Sequence, residues 1–351
     1  MTDHTLLVTG AAGFIGCNFV SYYLNKHPED KIVGLDLLTY AANQDFIRDT
    51  LKDPRFSFYH DDICNTALVE KILKGHRADI LVNFAAESHV DRSIADPDIF
   101  IKSNILGTYS LLSACRHVWM SDSCFSGLKT RFHHISTDEV YGSLELDDNG
   151  FTETSPYRPS SPYSASKASS DLLVQAFVKT YGLNATISNC SNNYGPYQHP
   201  EKFIPLAVTR MLLGEQVPMY GDGCQIRDWL FVEDHCRGIE LILNSGISGE
   251  TYNIGSCNEH ANIEVLTMLS EILTELFKED PGLSLKFPNC PAADRKSCLT
   301  LVTRVTDRPG HDRRYGIDNT KIVRELGFCA SVEFHSGLKN TVRWIIDSHS
   351  S

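Results

Sequence analysis

The chain has 351 residues, of which 42% are hydrophobic and 22% are charged, so it can bury the core of one large domain or of two joined ones. Its formal net charge of -12 disfavours nucleic acid and anionic membranes as partners, because the average field repels both. No apolar run approaches the roughly 20 residues that span a bilayer, and a strand pattern beginning at Thr5 leaves no room for a signal peptide. We therefore expect a cytoplasmic protein.

The cysteines are an odd number, 11, and they are scattered along the chain without paired short spacings. Such a distribution is typical of reduced thiols in a cytosolic protein. Neither a disulfide framework nor a metal site is predicted from it.

The first half of the chain alternates short β-rich apolar runs with longer helical patterns, which is typical of a parallel, doubly wound sheet. The predicted strands are residues 5–9, 31–36, 56–60, 80–84 and 131–136, and the first predicted helix covers residues 14–24. Residues 189–200 are rich in Asn, Pro, Gly and Tyr and predict an ordered loop over a site. Residues 281–297 contain three prolines and predict a linker or an insertion.

A glycine-rich turn follows the first predicted strand, since residues 10–16 read Gly-Ala-Ala-Gly-Phe-Ile-Gly and open a helix. Glycines at these positions permit a tight turn and close approach of the backbone to a pyrophosphate at the helix N-terminus. Asp36 lies 20 residues past Gly16, where a carboxylate binds ribose hydroxyls and repels a 2′-phosphate. The pattern predicts NAD rather than NADP, although Asp36 alone could also be a turn residue.

Two further groups of residues follow predicted strands at the edge where parallel sheets hold ligands. Asp62 and Ile63 come after the third strand and are placed to reach the adenine, with a solvated turn as the alternative. Residues 83–86 end the fourth strand.

Tyr163 and Lys167 lie four residues apart in a predicted helix that starts at Pro162. This spacing puts both side chains on one helix face, so the ammonium group can stabilise the phenolate and lower the tyrosine pKa. Such pairs are often structural, but the position about thirty residues after the fifth strand favours a catalytic role.

The fifth predicted strand ends in the sequence Ser-Thr-Asp-Glu-Val-Tyr-Gly, residues 136–142. The two adjacent acids, Asp138 and Glu139, stand beside a hydroxyl at the carboxyl end of a central strand, where cofactor and substrate meet. Alcohol oxidation alone needs no acid pair, so this pair indicates additional proton chemistry, with a solvated loop or a helix cap as the alternative.

Six segments together resemble the dTDP-glucose 4,6-dehydratase family of extended short-chain dehydrogenases/reductases, and they are residues 85–93, 136–142, 163–171, 189–197, 227–230 and 307–312. The most discriminating motif is Thr137-Asp138-Glu139, because related epimerases and decarboxylases carry other residues there. The resemblance runs from the glycine turn to about residue 344. It implies an α/β fold with a Rossmann-type doubly wound parallel sheet and a smaller, discontinuous α/β lobe that binds the substrate.

The resemblance also implies a reaction, the conversion of dTDP-glucose to a 4-keto-6-deoxy sugar nucleotide and water by an NAD-dependent hydro-lyase. Tyr163, with Lys167 and Thr137, takes the C4 hydroxyl proton while a hydride passes to NAD and later returns to C6. Glu139 removes the C5 proton that the new ketone acidifies, and a protonated Asp138 donates to the departing C6 hydroxyl. Adjacent acids need separated pKa values for these two roles.

The resemblance assigns ligand contacts to two sets of residues. Those implied for NAD are Gly10, Gly13, Phe14, Ile15, Gly16, Asp36, Thr39, Asp62, Ile63, Ala85, Ala86, Ser88, Ser103, Tyr163, Lys167 and Asn193. Those implied for the nucleotide sugar are His89, Thr137, Asn192, Lys202, Phe203, Pro218, Tyr220, Arg227, Asn262, Arg308 and His311. Fixed arginine forks suit a diphosphate, although an isolated arginine is as often in a salt bridge.

The domain organisation and assembly are further expectations from the resemblance. Residues 1–190, with returning residues 225–255, are expected to form the NAD-binding domain, and residues 191–224 and 256–351 the sugar-nucleotide lobe. Two long helices, about residues 99–117 and 163–181, are expected to form a homodimer interface. One departure is Leu37, where many family members carry a lysine, which leaves one adenosine-side contact open.

Four alternatives stay open at this point. The enzyme could be a UDP-sugar 4,6-dehydratase, epimerase or decarboxylase of the same family, since one methyl group distinguishes thymine from uracil and contributes only about 1–3 kcal/mol. The acid pair weighs against the epimerase and the decarboxylase. A non-catalytic dinucleotide-sensing scaffold would require the loss of catalytic groups that this sequence retains.

Overall fold

The computed structural model describes residues 3–307 and 311–349. Within them the strands are β1 (Thr5–Thr9), β2 (Lys31–Asp36), β3 (Phe56–His60), β4 (Ile80–Asn83), β5 (Arg131–Thr137), β6 (Ala185–Cys190), β7 (Asn192–Tyr194), β8 (Val217–Tyr220), β9 (Ile226–Phe231), β10 (Thr251–Ile254), β11 (Glu259–Ala261) and β12 (Val302–Val305). The α-helices are α1 (Phe14–Lys26), α2 (Gln44–Thr50), α3 (Thr66–His76), α4 (Val90–Ala95), α5 (Asp98–Phe100), α6 (Thr108–Ser121), α7 (Pro162–Tyr181), α8 (Phe203–Leu213), α9 (Val232–Ser245), α10 (Asn262–Glu279), α11 (Gly282–Lys286), α12 (Thr320–Leu326) and α13 (Phe334–Ser348). A π-helical turn, Ile101–Gly107, joins α5 to α6.

Seven parallel strands of the described chain form the main sheet, in the order β3-β2-β1-β4-β5-β6-β10. The order reverses between β1 and β4, and doubly wound sheets hold their ligands in the crevice at such a reversal. In β1, Leu6, Leu7 and Val8 are completely buried, because helices cover both faces of the sheet. The predicted Rossmann-type α/β fold is therefore confirmed.

Apolar side chains from helices form one core layer on each face of this sheet. On one face, Phe19 of α1 and Cys236 of α9 pack against the strands. On the other, Leu73 of α3, Leu111 of α6 and Val174 of α7 do the same. Among residues 3–307 and 311–349, no helix has both the length and the apolar character that a membrane crossing requires.

A pair of capping hydrogen bonds and a proline mark the start of helix α7. The Ser161 side chain accepts a hydrogen bond from the Ser164 amide at 3.1 Å, and the Ser164 hydroxyl accepts one from the Ser161 amide at 3.0 Å. Pro162 occupies the first helical position, where its missing N–H costs no hydrogen bond. This cap fixes the first two turns, which carry the predicted Tyr-Lys pair.

The second lobe contains a three-stranded sheet, β11-β9-β7, and a two-stranded sheet, β12-β8. Helices α8, α10 and α13 pack on them around a separate apolar core that includes Met211, Leu273 and Val342. Ile322 and Phe328 lie within the range expected for this lobe, yet they pack in the apolar layer of the first lobe. Helix α12, which the predicted division assigns to the second lobe, therefore packs on the first lobe.

Residues 281–297 are an integral part of the second lobe. Leu283, Phe287 and Cys290 are buried in its core, and Pro291–Asp294 form a 3-10 turn. The linker interpretation was wrong, because apolar residues spaced between the prolines anchor the segment, whereas the insertion interpretation agrees with its position. The predicted loop at residues 189–200 also differs, since it contains the end of β6 and all of β7.

We expect Leu273→Ala to lower the free energy of unfolding by about 2–5 kcal/mol, because truncation of a completely buried leucine leaves a cavity in the second-lobe core. Leu285→Ala is the matched control, since Leu285 lies in the same lobe but is 87% exposed. Its effect should stay within about 0.5 kcal/mol. Urea unfolding measures both variants, and equal losses would contradict the core assignment.

Candidate active site

The turn between β1 and α1 is shaped so that only glycine fits. Gly10 has φ +66°, and a Cβ there would lie 2.7 Å from the Ala85 amide nitrogen. A Cβ on Gly16 would lie 2.0 Å from the Gly10 carbonyl oxygen. No side chain within the described residues caps the N-terminus of α1, so its amide groups can bind an anion. These features fit the pyrophosphate of a dinucleotide.

Asp36 is fixed at the end of β2 by two backbone hydrogen bonds. Its carboxylate accepts from the Ala12 amide at 2.9 Å and from the Leu38 amide at 2.8 Å. Burial raises the pKa of Asp36 from its ordinary value, while these two amides oppose the shift. A fixed carboxylate beside the glycine turn suits ribose hydroxyls and disfavours a 2′-phosphate.

Asp36 borders the adenosine compartment, a pocket next to the glycine turn. The predicted cofactor residues that line this compartment are Gly10, Gly13, Asp36, Thr39, Asp62, Ile63, Ala85, Ala86 and Ser103. The structure thus brings together residues from four loops, as the carboxyl ends of β1 to β4 require.

The reaction cleft is a second pocket, which shares the glycine turn with the first and extends between the lobes. The predicted cofactor and catalytic residues that line it are Gly10, Gly13, Phe14, Ile15, Gly16, Ala86, Ser88, Thr137, Asp138, Glu139, Tyr163, Lys167 and Asn193. The predicted substrate residues that line it are His89, Thr137, Asn192 and Lys202. One continuous cavity therefore joins the dinucleotide turn to the Tyr-Lys pair and the acid pair.

Tyr163 and Lys167 share one face of α7, but burial is the main influence on the pKa of each. The Lys167 ammonium donates to the Ile135 carbonyl at 2.7 Å, and burial lowers its pKa to about 8. Burial also raises the pKa of Tyr163 well above its usual range, and a hydrogen bond from Thr137 opposes this. We expected Lys167 to lower the pKa of Tyr163. In the protein without bound ligands this pKa is raised instead, because desolvation of the phenolate outweighs the effect of the ammonium group.

The acid pair occupies two different environments. Asp138 is 1% exposed, and its Oδ2 has no hydrogen-bond partner among the described residues. Burial and then the charges of Glu139 and Asp228 raise the pKa of Asp138 well above its usual range, which favours its protonated form. Glu139 is partly exposed. This difference in burial gives the two carboxyl groups different environments. Because Asp138 is buried, the solvated-loop alternative is excluded for it.

A hydrogen-bond network lies beneath the catalytic helix. Asp171 is completely buried and accepts from the Ser136 hydroxyl at 2.8 Å and from the Tyr157 hydroxyl at 3.0 Å. His134 Nε2 lies 3.3 Å from Lys167 Nζ and 3.5 Å from the other Asp171 oxygen. Burial raises the pKa of Asp171 to about 7. Lys167 is thus held from below by its contacts with His134 and Ile135.

Of the remaining predicted substrate residues, those that the structure describes lie in the second lobe, outside the lining of these two pockets. Arg227 is buried, donates to the Ile226 carbonyl at 2.7 Å and to the Asp312 carbonyl at 3.0 Å, and lowers the pKa of Asp138 electrostatically. Tyr220 stacks edge-on against His311 at 6.0 Å.

The other members of the predicted substrate set have structural surroundings that the sequence did not show. Phe203 stacks on Trp229, and Pro218 lies in β8. Asn262 begins α10, and its backbone N–H donates to the Gln225 carbonyl. Arg308 lies outside the described residues.

The sequence interpretation missed several residues that border the cleft. Gln198 and His199 line it, and so does Tyr40, whose ring lies 3.7 Å from the Arg92 guanidinium. Arg92 also bonds both carboxylate oxygens of Glu201, at 2.8 and 3.0 Å. No local pattern marks these contacts, because they join segments that are distant in sequence.

Asp171 was missed although a signal existed. It continues the four-residue spacing of Tyr163 and Lys167, which places all three on one face of α7. A buried carboxylate one turn beyond a catalytic lysine is what that spacing would have predicted.

This fold and these two pockets define a dinucleotide-dependent enzyme of the extended short-chain dehydrogenase/reductase class. The family model described as GDP-mannose 4,6 dehydratase matches residues 7–341. A dTDP-glucose 4,6-dehydratase of Neisseria meningitidis is 49% identical over 98% of this chain and 93% of its own length, and dTDP-glucose 4,6-dehydratase 1 of Escherichia coli is 47% identical over 98% and 93%. The chain belongs to this family and, within it, to the dTDP-glucose 4,6-dehydratases.

Solved structures give the same result. A dTDP-glucose 4,6-dehydratase from Streptomyces venezuelae, with NAD and TYD bound, is 44% identical and superimposes with a TM-score of 0.86 over 99% of this chain and 98% of its own. A UDP-glucose 4-epimerase from Thermotoga maritima, with UDP-glucose, reaches a TM-score of 0.81 at 27% identity, over 98% and 99% of the two chains. The fold is thus shared with epimerases, and the site residues must distinguish the reactions.

We expect the Asp171 carboxyl to make the protein less stable as pH rises from about 5 to 7. Its pKa is about 7 in the folded protein and near its ordinary value of 3.8 when unfolded, so the folded state binds more protons in this window. The free energy of unfolding should fall by up to about 1.4 kcal/mol per pH unit from this group. Asp171→Asn should remove that slope.

Urea unfolding at several pH values measures the slope. Asp45→Asn is the control, because the Asp45 side chain is 79% exposed and its removal should leave the pH dependence as in the unmodified protein. Identical pH slopes for the protein and Asp171→Asn would contradict the raised pKa.

Proposed function

We propose that this protein converts dTDP-glucose to dTDP-4-keto-6-deoxyglucose and water, with NAD as a cofactor that is restored in every turnover. One observation carries the proposal, namely that a buried Asp138 with a raised pKa and a partly exposed Glu139 line the same cleft as Tyr163. An alcohol oxidation needs only the tyrosine, whereas water elimination needs an acid and a base in addition.

The first step assigned to the chain is removal of the proton from the sugar C4 hydroxyl. Tyr163 is the proton acceptor, since its side chain lines the cleft. Burial disfavours its phenolate in the protein without ligands, and the positive charge of oxidised NAD, when bound, would oppose that effect. Lys167 supplies positive charge one helical turn away, and Thr137 orients the hydroxyl group. When bound, NAD supplies the hydride acceptor for C4 and later the hydride donor for C6.

The second step is elimination of water across C5 and C6. A C4 ketone acidifies the C5 hydrogen, and Glu139 then removes it as the general base. Asp138 protonates the departing C6 hydroxyl group, a role for which its raised pKa is suited. Glu139 finally returns its proton to C5, so only Tyr163 and Asp138 change protonation over the reaction.

Recognition of the nucleotide is assigned to the second lobe. His89, Asn192 and Lys202 border the reaction cleft, while Arg227 and Tyr220 lie beyond it on the second-lobe strands. We also propose that residues 1–190 and 225–255 bind NAD and that the rest binds the sugar nucleotide, with two exceptions, α12, which packs on the first lobe, and β9, which belongs to the sheet of the second lobe. The names of the relatives favour thymine over uracil.

We expect incubation with dTDP-glucose carrying deuterium at C4 to give a 4-keto product with deuterium at C6 of the same molecule, because the transferred hydride stays in the site. Mass spectrometry of the product and the alkali-induced absorbance of the 4-keto sugar measure this. UDP-glucose in a parallel reaction should give less product. Loss of the label to solvent, or no 4-keto product from either sugar, would contradict the proposal.

Glu139→Gln is the control variant in the same experiment. It should retain NAD binding and lose water elimination, because the amide cannot accept the C5 proton. Turnover equal to that of the unmodified protein would remove Glu139 from its role.

We further propose that the protein is a cytoplasmic homodimer. Apolar side chains are exposed on the two helical segments expected at the interface, and they are Ile99, Ile101, Leu106, Tyr109, Leu172 and Tyr181. Exposed large apolar side chains concentrated on two such segments support an interface there. The unpaired cysteines support a reducing compartment.

We expect Leu172→Glu to shift the protein from dimer to monomer in analytical ultracentrifugation, because a charge on α7 would be buried against the second copy. Leu146→Glu is the matched control, since Leu146 and Leu172 are both 57% exposed but Leu146 lies in the loop before α7 and not on either helical segment. It should remain dimeric. Dimers of both variants would contradict this interface.

A further inference from the structure

A buried lysine and a buried acid lie one helical turn apart on α7, beneath the reaction cleft. Lys167 is 3% exposed and Asp171 is completely buried. Both contact the same atom, since His134 Nε2 is 3.3 Å from Lys167 Nζ and 3.5 Å from Asp171 Oδ1. The amino group and the carboxyl group are therefore neighbours across one edge of the histidine ring.

The position of one proton decides the charge of this pair. With the proton on Lys167 both groups are charged, whereas with the proton on Asp171 both are neutral. Burial alone favours the neutral form, because neither charge is hydrated. The charge that the proposed reaction requires of Lys167 thus depends on the surroundings of Asp171.

One oxygen of Asp171 is surrounded by hydrogen-bond donors. Its Oδ2 accepts from the Ser136 hydroxyl at 2.8 Å and from the Tyr157 hydroxyl at 3.0 Å. Donors of this kind stabilise a carboxylate more than a carboxylic acid. They therefore favour the form of the pair in which Asp171 has given up the proton.

The other oxygen of Asp171 faces a ring nitrogen that carries a hydrogen. The Thr9 hydroxyl donates to Asn83 Oδ1 at 2.7 Å, which leaves the Asn83 amide nitrogen 3.1 Å from His134 Nδ1. An amide nitrogen only donates, so Nδ1 accepts. Burial, together with the charge of Lys167, lowers the pKa of His134 well below its usual range. In this neutral ring the hydrogen is on Nε2, the nitrogen that faces Asp171.

Asp171 Oδ1 has no hydrogen bond of its own among the described residues, so its charge is left to act on Lys167. After burial itself, Asp171 is the strongest influence on the pKa of Lys167, and it raises that pKa. This direction is the one expected for opposite charges in a buried site.

The other titratable groups that face the pair are held mainly in their uncharged forms by burial. Burial raises the pKa of the Cys190 thiol on β6 to about 12. On the opposite side, the turn Ile101–Gly107 contacts α7 through Asn104, an uncharged amide that donates to the Ser166 hydroxyl at 2.8 Å. Burial also raises the pKa of the acidic side chains on the remaining sides, which are Asp138, Tyr141, Tyr157 and Tyr163.

We propose that Asp171 is a positioning residue that keeps the proton of this pair on Lys167, so that Lys167 is charged beside Tyr163. Ser136, Tyr157 and the His134 ring stabilise the Asp171 carboxylate, and the carboxylate stabilises the ammonium group. The inference rests on the proposed function, in which that ammonium group assists Tyr163.

The charge of Lys167 is measured directly, without any reaction, by NMR titration of the NAD-loaded protein with 13C-labelled lysine side chains. Lys167→Met identifies the signal. The titration midpoint of Lys167 should fall by at least about one pH unit in Asp171→Asn, because the neighbouring negative charge is lost. An unchanged midpoint would overturn the proposal.

Tyr157→Phe is a second variant, which keeps Asp171 and decides the question if Asp171→Asn does not fold. It removes one donor to the carboxylate, so the Lys167 midpoint should fall by about half a pH unit. Tyr59→Phe is the matched control, since the Tyr59 hydroxyl is also hydrogen-bonded, to His76 at 2.9 Å, but lies on the edge strand β3. Equal midpoints in Tyr157→Phe and Tyr59→Phe would overturn the proposal.

The pH profile of kcat/KM with dTDP-glucose gives the catalytic readout. Its alkaline limb should move to lower pH in Asp171→Asn and Tyr157→Phe by the amounts that NMR gives, because Lys167 loses its charge earlier. A structural role alone would lower kcat/KM at every pH and leave the limb in place, which would overturn the proposal. Absence of any 4-keto product from the unmodified protein would instead contradict the proposed function, while the NMR titration still decides the role of Asp171.

Discussion

Exclusion of water from the carboxyl end of β5 is the constraint on which the chemistry of this protein depends. The strand carries Thr137 and Asp138 into a space enclosed by α7 and the second lobe, and burial there raises the pKa of Asp138 and lowers that of Lys167. In water, adjacent carboxyl groups would both be ionised at neutral pH. Here their environments differ, because Asp138 is fully buried and Glu139 is partly exposed.

The rest of the architecture maintains this enclosure. The parallel sheet brings the glycine turn and Asp36 to the same edge as β5, so that a dinucleotide bound there would lie against the catalytic helix. The second lobe adds Asn192 and Asn193 on β7, which directly follows β6. Neither lobe alone provides a closed cavity, and the chain crosses between them several times to make one.

Local patterns were sufficient to predict most of the first lobe and its ligand edge. Strands β1, β2 and β3 have the predicted bounds. For β1 and β2 the reason is that parallel strands buried on both faces are mostly apolar runs, whereas β3 is an edge strand that is only partly buried. The glycine turn and the Tyr-Lys pair were recognisable because each depends on spacing within a few residues. Their membership of a single cleft followed from the rule that parallel strands end at one edge.

Other features depend on contacts that no local pattern contains. The π-helical turn Ile101–Gly107 and the burial of residues 281–297 reflect packing against distant elements. The raised pKa of Tyr163 was also missed, since the sequence showed a neighbouring ammonium but not the degree of desolvation. The assignment of single residues to the substrate stays a prediction for those beyond the cleft, such as Asn262 and Phe203.

The contacts of Arg92 with Tyr40 and Glu201 have a kinetic implication. They connect the segment after β2 to the segment before α8 at the border of the cleft. The ion pair is about half exposed and therefore contributes little free energy to holding these segments together. A carrier restored in place in each proposed turnover needs no exchange between turnovers, so a weak connection at this border does not limit the proposed cycle.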